Sequence, residues 1–441
     1  MNPKPSFYSP RTYLVETIPT DFDFRPEHST AAVLLRLVND TQHSIDLSAM
    51  YWSLFPASQA GEVAGLSAGQ LEKLGAKHGR LLHNALENAL QRGVHIRILQ
   101  ADGFTEDGNV EIDTLAARYP HQLHITTVSM KAWYGGGIMH QKLWVFDGRS
   151  AYIGSANTDW RALAQVKELG IVVENNPVVA QSVAAHLAAW RQFATMEVTA
   201  VSIPDPISGQ ERTVPAWSHL IPAARRRPNP FPPVPPLDEP IITMSPPELC
   251  ENGRFVDGDI LLQTINAAQE QISIEVMNFL PTARSRPGDD DENGRRPPLW
   301  QPVIANALLR AVIQRGVHVR LLVSQWAYSN PTTTPYLRAM QAMADAALAD
   351  ETVAHGKLEI RRYLMRGWDR TIGSKRLYPD HSRVNHAKFV VTERRVNIGT
   401  SNFTWDYFTQ TGGCSYNSGD DTLIAQAQEI FDRDWQSSDD L

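Results

Sequence analysis

An internal duplication restricts the possible fold of this chain more than any other feature of its sequence. Ser44–Leu47 (SIDL) is followed in the second half by the similar Ser273–Val276 (SIEV). Gln91–Leu99 (QRGVHIRIL) is likewise followed by Gln314–Leu322 (QRGVHVRLL). A long repeat of this kind indicates that one structural unit occurs twice within the 441 residues.

Each half has the pattern of a strand, a helix and a second strand. Leu81–Leu90 and Ile304–Ile313 carry apolar residues at helical spacing, and a glycine follows each of them as a stop signal. Units of this kind pack helices over a sheet, and their connections favour parallel strands. The sequence therefore predicts an α/β fold, with two α-β-α sandwich halves that have largely parallel sheets and are related by a pseudo-twofold axis.

A proline-rich stretch separates the two halves. Residues 203–250 contain many prolines and little helical or strand periodicity, which is typical of a connector. We therefore expect an N-terminal half over residues 1–202, a connector over 203–250 and a C-terminal half over 251–441.

The same set of polar residues occurs towards the end of both halves. The first copy consists of His140, Lys142, Asp147 and the run Gly154–Asn157 (GSAN). The second copy consists of His386, Lys388, Glu393 and the run Gly399–Asn402 (GTSN). A third His-x-Lys pair, at His355, has neither the acid nor the glycine run after it. The bare pair is therefore a weak signal, and the complete pattern found twice is a strong one.

These residue types at this spacing suit the cleavage of a phosphodiester. Residues two apart in a strand point to the same side, so each histidine projects together with its lysine. If the halves meet face to face, two imidazoles, two ammoniums and two amides surround one tetrahedral anion. One imidazole would attack phosphorus to form a phosphohistidine while the other protonates the leaving oxygen. The non-bridging oxygens would be stabilised by Lys142, Lys388, Asn157 and Asn402.

The other members of the two copies are assigned supporting roles. Ser155 and Thr400 offer neutral hydrogen-bonding groups beside the asparagines, and Asp147 and Glu393 are expected to hold the turn that follows each motif. The pattern lacks the carboxylate cluster that magnesium prefers, and the ammoniums supply positive charge. We therefore predict that catalysis needs neither a metal nor a cofactor.

The composition excludes several other classes of protein. Two cysteines, Cys250 and Cys414, are too few for a disulfide framework or a four-cysteine zinc site. The net charge of −7 argues against a protein that coats nucleic acid with a uniformly basic surface. No apolar run is long enough to span a bilayer, and the start lacks the pattern of a signal peptide. We expect a soluble protein and favour a cytoplasmic location.

With these motifs the chain resembles the phospholipase D superfamily, whose members carry two His-x-Lys-x4-Asp motifs and Gly-Ser-x-Asn. The resemblance is greatest to the phospholipase D3 and D4 branch and extends over nearly the whole chain. The strings that carry it are Ile45–Leu47, Tyr51–Trp52, Gly154–Arg161, Val166–Gly170, Val276–Pro281, Arg383–His386, Val391–Arg394 and Ile398–Phe403.

The resemblance implies roles for individual residues. His140 would be the nucleophile, and His386 the general acid and base. A carboxylate often orients the opposing histidine in that family, and Glu168 matches its position. The corresponding place in the second half is Gly413, so the sequence does not reveal what orients the other histidine. Glu393 replaces the second aspartate of the motif, as it does in the same branch.

The resemblance also implies a substrate. Members of this branch are 5'-exonucleases on single-stranded DNA and RNA, so this activity is the leading hypothesis. A phospholipase or phosphatidyl transferase with the same catalytic groups is the alternative, and a non-catalytic binding protein of the same fold is the third. Stacked bases need aromatic platforms, and the best candidates are Trp326 and Phe403, ahead of Trp405 and Tyr407. The sequence leaves open whether the protein forms a homodimer.

Overall fold

The computed structural model describes residues 10–56, 65–103, 109–130, 137–195, 200–204, 211–215, 240–250, 254–284, 297–350, 356–369, 371–372 and 375–441. Most of the predicted connector lies outside these ranges, as does His355 of the third His-x-Lys pair. Among the helices within them, none combines the length and the apolar character needed to cross a bilayer.

Helices and strands alternate along both halves. The helices are α1 Thr30–Asp40, α2 Ala68–Lys73, α3 Lys77–Gln91, α4 Val110–Arg118, α5 Pro177–Ala194, α6 Asp257–Ala267, α7 Val303–Arg315, α8 Thr333–Leu348, α9 Asp406–Thr409 and α10 Asp421–Gln436. The strands are β1 Arg11–Thr17, β2 Ser44–Ala49, β3 Trp52–Ser53, β4 His95–Ala101, β5 Leu123–Val128, β6 Leu143–Phe146, β7 Ser150–Gly154, β8 Thr158–Asp159, β9 Glu168–Glu174, β10 Ala200–Pro204, β11 Glu211–Pro215, β12 Ile241–Ser245, β13 Phe255–Val256, β14 Gln271–Val276, β15 Thr282–Ala283, β16 Leu299–Trp300, β17 His318–Gln325, β18 Lys357–Leu364, β19 Thr371–Ile372, β20 Lys375–Arg376, β21 Lys388–Thr392, β22 Val396–Gly399, β23 Gly413–Ser418 and β24 Asp439–Asp440.

Two large sheets have the same strand order, which confirms the predicted pseudo-twofold relation. The first sheet has the order β1-β9-β7-β6-β2-β4-β5, and the second contains β12-β23-β22-β21-β14-β17-β18 with β13 and β24 at its edges. Each strand of the first sheet thus has a counterpart in the second. The α/β class with two similar halves follows directly from this correspondence.

The sheets are mixed, and the prediction of largely parallel sheets was wrong. Parallel pairing joins β2, β4 and β5 in the first sheet and β14, β17 and β18 in the second, where the short β13 also pairs in parallel with β12. The strands that follow the His-x-Lys motifs form antiparallel hairpins, β6 with β7 and β21 with β22. The connections inside these hairpins are too short for a parallel crossover, which needs about a dozen residues.

The repeated Gln-Arg-Gly run has the same structural role in both halves. Gly93 has φ +89° and Gly316 has φ +73°, a left-handed conformation that glycine adopts without strain. The arginine before each glycine donates to a backbone carbonyl near the end of a neighbouring helix. These bonds are Arg92 to Thr41 at 3.1 Å and Arg315 to Ile265 at 2.9 Å. The run therefore stops one helix and caps another.

Strand pairing corrects one alignment between the halves. Asp46 pairs with Arg97, and the residue that pairs with the equivalent Arg320 is Ser273. The match of Ser44–Leu47 with Ser273–Val276 is therefore shifted by two residues. A slip of two preserves which side chains face the core, because strand side chains alternate, and so the apolar pattern matched in both registers.

Three apolar cores hold five layers together. Helices α1, α3 and α4 pack on the outer face of the first sheet, and α6, α7 and α8 on the outer face of the second. The central core lies between the sheets and includes α5, α10 and the inner faces of both sheets. The two halves therefore share one core.

The boundary of the C-terminal half differs from the prediction. Ile241–Ser245 forms β12, which pairs with β23 inside the second sheet. The C-terminal half thus includes residues from at least 241, and the predicted connector over 203–250 extends too far. The same stretch also contributes to the β10-β11 hairpin, which joins Ala200–Pro204 to Glu211–Pro215.

Candidate active site

Both His-x-Lys motifs lie at the start of a hairpin in the middle of a sheet. Lys142 directly precedes β6, and Lys388 is the first residue of β21. The second strand of each hairpin ends at Gly154 or Gly399, so the following asparagine returns to the same sheet edge. The hairpin thus brings the parts of each motif together although they are separated along the chain.

The two histidines lie side by side. The ring centroids of His140 and His386 are 6.2 Å apart, with an angle of 66° between the ring planes. Both side chains are largely buried, as are those of Lys142 and Lys388. The separation leaves space for one tetrahedral phosphorus between the rings. The motif residues of both halves therefore share one site.

Backbone hydrogen bonds join the halves next to each histidine. The amide of His140 donates to the carbonyl of Gly412 at 2.9 Å, and the amide of His386 donates to that of Lys167 at 2.8 Å. Met139 pairs with Gly412, and Lys167 with Asn385, in isolated parallel bridges. We call these two contacts the cross-half bridges. They fix the backbone of each histidine to the opposite half.

The Nδ1 atoms of the two imidazoles have different partners. His140 Nδ1 lies 2.8 Å from the carbonyl oxygen of Thr400, and His386 Nδ1 lies 2.9 Å from a carboxylate oxygen of Glu168. Because a carbonyl oxygen only accepts, Nδ1 of His140 carries a proton, and the neutral ring keeps its lone pair on Nε2. The carboxylate stabilises a charged imidazolium at His386. Each partner comes from the opposite half.

Burial and nearby charges lower the pKa of both imidazoles. For His140 burial acts most strongly, followed by the ammoniums of Lys142 and Lys388, and its pKa falls well below the ordinary value. Burial also lowers the pKa of His386, but the Glu168 carboxylate opposes this. The ring beside the carboxylate therefore keeps a proton more readily than the ring beside the carbonyl.

The ammonium groups of the two motif lysines are positioned to bind an anion. Each ammonium donates to the carbonyl of its own motif histidine, from Lys142 to His140 at 2.8 Å and from Lys388 to His386. Burial lowers the pKa of Lys388 to about 7 and that of Lys142 well below its ordinary value, with Lys388 contributing to the latter. A negatively charged ligand would restore both charges.

The two asparagines are held by tyrosines. Asn157 donates to the hydroxyl of Tyr51 at 3.4 Å, and Asn402 is hydrogen-bonded to Tyr407. The ring of Tyr407 also lies edge-on to His140, with centroids 5.2 Å apart. The Oδ1 atoms of both asparagines are buried without a hydrogen-bond partner among the described residues. Because Oδ1 only accepts, a bound anion would be contacted by the Nδ2 group of each asparagine, which has two N–H donors.

The hydroxyl groups after the glycines bond to the protein backbone. Ser155 Oγ donates to the carbonyl of Leu169 at 3.1 Å and accepts from its amide at 3.0 Å. Thr400 Oγ1 accepts from the amide of Cys414 at 3.0 Å. Leu169 and Cys414 are equivalent residues of β9 and β23. These hydroxyls therefore fix the asparagine turn to the next strand.

The two motif acids lie on loops away from the histidines. Asp147 accepts from the backbone amides of Gln42, His43 and Ser44 at 2.7 to 2.9 Å. Glu393 accepts from the amide of Gln269 at 2.8 Å, before the equivalent strand β14. Both carboxylates thus tie the motif hairpin to the start of the neighbouring strand.

The two predicted aromatic platforms have different surroundings. Phe403 is 3% exposed and packs in the C-terminal core, 6.2 Å from Phe408 between ring centroids. Its burial favours a core role, and its predicted role as a platform for a base stays a prediction. Trp326 follows β17 and is partly exposed, with its ring 5.0 Å from Tyr328 and 6.2 Å from His381. Trp405 and Tyr407 are also packed against the C-terminal core.

The structure adds residues that the sequence patterns did not reveal. The Thr400 carbonyl belongs to the backbone, which no side-chain pattern reports. Tyr51 was visible only as part of a family string, and its bond to Asp159, at 2.9 Å, continues through Asp159 to Arg161 at 2.6 Å. Within the described ranges no group of three His, Cys, Asp or Glu side chains has the arrangement of a metal site.

Comparisons with known proteins place this geometry in a family. Residues 34–190 match the family described as "Cardiolipin synthase, PLD-like domain", and residues 238–365 match "PLD3/4, PLD-like domain". The mouse protein named 5'-3' exonuclease PLD4 is 32% identical over 438 residues, which cover 96% of this chain and 78% of the relative. Phospholipase D Y of Dictyostelium discoideum is 32% identical over 434 residues, which cover 96% of this chain and 90% of the relative.

A solved structure shares the architecture. Phosphatidylserine synthase of Haemophilus influenzae superposes with a TM-score of 0.55 at 11% sequence identity, over 93% of this chain and 85% of that chain. At this identity the likeness shows the fold alone. The PLD4 and phospholipase D Y relatives are more similar to this chain in sequence than this solved structure is.

Proposed function

This chain belongs to the phospholipase D superfamily, in its PLD3/4 branch, and on that premise we propose that it cleaves phosphodiesters through a phosphohistidine on His140. The single observation that carries the assignment of roles is the difference between the two Nδ1 partners. The Thr400 carbonyl leaves a lone pair on His140 Nε2, and the Glu168 carboxylate stabilises a proton on His386.

The proposed reaction has two steps. In the first, His140 Nε2 bonds to phosphorus, the bond from phosphorus to the leaving oxygen breaks, and that oxygen takes the proton of His386. In the second, water gives a proton to His386 and its oxygen displaces His140 Nε2 from phosphorus. Lys142, Lys388, Asn157 and Asn402 stabilise the charge on the non-bridging oxygens in both steps.

The substrate that we propose is single-stranded DNA or RNA, shortened from its 5' end to give nucleoside 3'-monophosphates. The names of the PLD4 and PLD3 relatives support this choice. The cluster of Trp326, Tyr328 and His381 supports it from the structure, because the rings of Tyr328 and His381 stack 5.0 Å apart at the same end of the second sheet as His386. Stacking on such rings contributes about 1 to 3 kcal/mol per base.

The test is an oligonucleotide assay in a metal chelator. Single strands with a free or a blocked 5' end are incubated with the protein, and the products are separated by length and end group. We expect stepwise loss of 3'-monophosphates from the free end and protection of the blocked end. Intact strands of both kinds would rule the exonuclease out.

A phospholipase or phosphatidyl transferase is the second candidate. The name and the near-complete coverage of the Dictyostelium relative favour it. Release of the head group from vesicles, or transfer of the phosphatidyl group to added ethanol, would identify this activity. Light scattering would determine whether the protein forms a homodimer, and cell fractionation would test the predicted cytoplasmic location.

A further inference from the structure

A buried group of charged residues lies behind one of the two cross-half bridges. The ammonium of Lys167 is fully buried and lies 2.9 Å from Asp434, 3.3 Å from Glu275 and 3.5 Å from Glu16. Arg433 joins them through Glu16 at 2.6 Å and Asp434 at 3.1 Å. We call these five residues the interhalf ion cluster.

The cluster draws on both halves of the molecule. Glu16 on β1 and Lys167 before β9 belong to the first half. Glu275 on β14, and Arg433 and Asp434 on α10, belong to the second. Its two cations face three carboxylates, and Tyr363 on β18 faces the same charges. Burial, reinforced by Asp434, raises the pKa of Glu275 to about 8, and the ammonium of Lys167 acts in the opposite direction.

Lys167 connects this cluster to the catalytic groups through the backbone. Its carbonyl accepts the amide of His386 at 2.8 Å, and its amide donates to the carbonyl of Val384 at 3.0 Å. The next residue is Glu168, whose carboxylate holds the His386 ring. A shift of Lys167 would therefore move both groups that fix His386.

The symmetry-related counterparts of these five residues are all uncharged. Strand and bridge pairing makes Gly412 the counterpart of Lys167, Ser48 that of Glu275, and Met244 that of Glu16. Matching the tryptophans of α5 and α10 makes Ala188 and Ala189 the counterparts of Arg433 and Asp434. Trp190 lies against Gly412, since a Cβ there would be 2.7 Å from its ring.

The charged support therefore occurs on one side only, and this is the side of Glu168 and His386. On the other side, His140 is held by a neutral carbonyl, and the backbone behind it packs against an apolar ring. Buried charges are costly unless they are paired, so a cluster found in one copy and absent from the other calls for a function beyond packing.

We propose that Lys167 is a positioning residue for the general acid: the interhalf ion cluster fixes residues 167–168 so that Glu168 holds the proton-bearing form of His386. The inference rests on the roles assigned above to the two histidines. The cluster acts through backbone geometry and through the Glu168 carboxylate, and it makes no contact with substrate.

The first test needs no substrate. Imidazole signals of the full-length protein are titrated by NMR in the wild type, in Lys167→Met and in the double variant Lys167→Met/Glu275→Gln. Loosening Glu168 removes the interaction that favours protonated His386, so we expect the pKa of His386 to fall in both variants. An unchanged titration in Lys167→Met would overturn the inference, whatever the enzyme's substrate. The double variant keeps the formal charge of the wild-type cluster. If the pKa of His386 returned to its wild-type value there, Lys167 would only balance the charge of Glu275, and the inference would be overturned.

A matched control comes from another buried ion cluster. Asp46 in the central strand of the first sheet pairs with Arg97 at 2.5 Å and Arg191 at 3.0 Å, and it has no bond to Glu168 or His386. Asp46→Asn removes the charge of one buried member of an ion cluster, as Lys167→Met does. We expect Asp46→Asn to leave the His386 titration unchanged. An equal fall in this control would show a general effect of destabilisation and would also overturn the inference.

Kinetics give a second readout. With an alkyl or nucleotide diester, Lys167→Met should lower kcat between about ten- and a hundredfold with little change in KM, because small displacements at a catalytic group have effects of this size. With an aryl diester, whose leaving group needs no proton, formation of the phosphohistidine should be nearly normal. Equal losses for both substrates would point to reduced folding and contradict a positioning role. An inactive wild type would count against the proposed function alone, because the titration stands without it.

Discussion

The chemistry of the site depends on which atom faces the Nδ1 nitrogen of each histidine. A carbonyl oxygen fixes a tautomer, whereas a carboxylate fixes a tautomer and also stabilises the charged ring. The first arrangement suits a nucleophile and the second suits a proton donor. The structure provides one of each, at His140 and His386. In the proposed mechanism two similar motifs thereby have different roles.

The division of tasks predicts opposite behaviour for two variants. His386→Gln should lower the cleavage of an oligonucleotide by about 10² to 10⁴, the usual contribution of a general acid. With an aryl phosphodiester the same variant should still release one aryl alcohol per enzyme in a burst and then slow down, because water lacks its base. His140→Gln should show no burst. Stopped-flow absorbance measures both, and a burst from the His140 variant would contradict the assignment.

A second prediction concerns proton uptake. Burial lowers the pKa of Lys388 to about 7, and a bound anion would favour the charged form. At pH 8 the free amine is mostly neutral, so binding of inorganic phosphate should take up a proton, and at pH 6 the uptake should be smaller. Calorimetry in buffers of different ionisation enthalpy measures the number of protons taken up when phosphate binds. Lys388→Met should reduce the uptake at pH 8 by about one proton, and an unchanged number would refute the prediction.

Side-chain patterns revealed the six polar residues that the structure brings together, because a spacing that occurs twice is visible in a sequence. Glu168 required a resemblance to known proteins. The Thr400 carbonyl was beyond both, since any residue type offers the same backbone atom. Phe403 illustrates the reverse limit, because adjacency to a motif does not tell whether an aromatic ring faces the ligand or the core.

At the level of strands and hairpins, the cross-half bridges determine the spacing of the two motifs. In each bridge the backbone amide of a histidine donates a hydrogen bond to a carbonyl of the other half. The region just before His140 is closely packed, because Gly137 has φ +79° and a Cβ on it would lie 2.0 Å from the carbonyl oxygen of Gln410. A side chain at this position would push the bridge apart.

The glycine therefore offers a test of the bridge. Gly137→Ala and Gly93→Ala both place alanine at positive φ, with a strain of about 1 to 2 kcal/mol. Only Gly137 also meets backbone of the other half, since a Cβ at Gly93 would meet nothing within 4 Å. We expect Gly137→Ala to lower both the melting temperature and kcat, and Gly93→Ala to lower the melting temperature alone. Equal kcat values in the two variants would argue against the role of the bridge.

The sequence predicted the strands and helices of each half well but not the direction of the strands. Periodicity reports which face of a strand is buried, and it does not report which neighbour the strand pairs with. The same limit explains the shift of two residues between Ser44–Leu47 and its proposed match, because both registers bury the same face.

On the scale of the whole molecule, the central core makes the halves one folding unit. Ile398 is fully buried in this shared core, whereas Ile96 lies in the core of the first half and Ile274 in that of the second. The proline-rich connector predicted where the two halves are joined, but the composition of a connector carries no information about the surface that the halves share.

The shared core predicts a single unfolding transition. Ile→Val at each of these three positions should cost about 0.5 to 1.5 kcal/mol. In a cooperative molecule all three substitutions move the same transition, and tryptophan fluorescence and circular dichroism report the same midpoint in urea. Halves that unfold separately would instead show two transitions, with Ile96→Val affecting one and Ile274→Val the other.

Each histidine ring is held by a residue of the opposite half, and this affects how mutations can change the two halves. In an assembly of two identical subunits, every mutation appears in both copies, so a change that improves an acid also alters the nucleophile. When both copies lie in one chain, each can change separately, and here one copy has Glu168 where the other has Gly413. A duplication within one chain thus allows the two repeats to specialise for different chemistry.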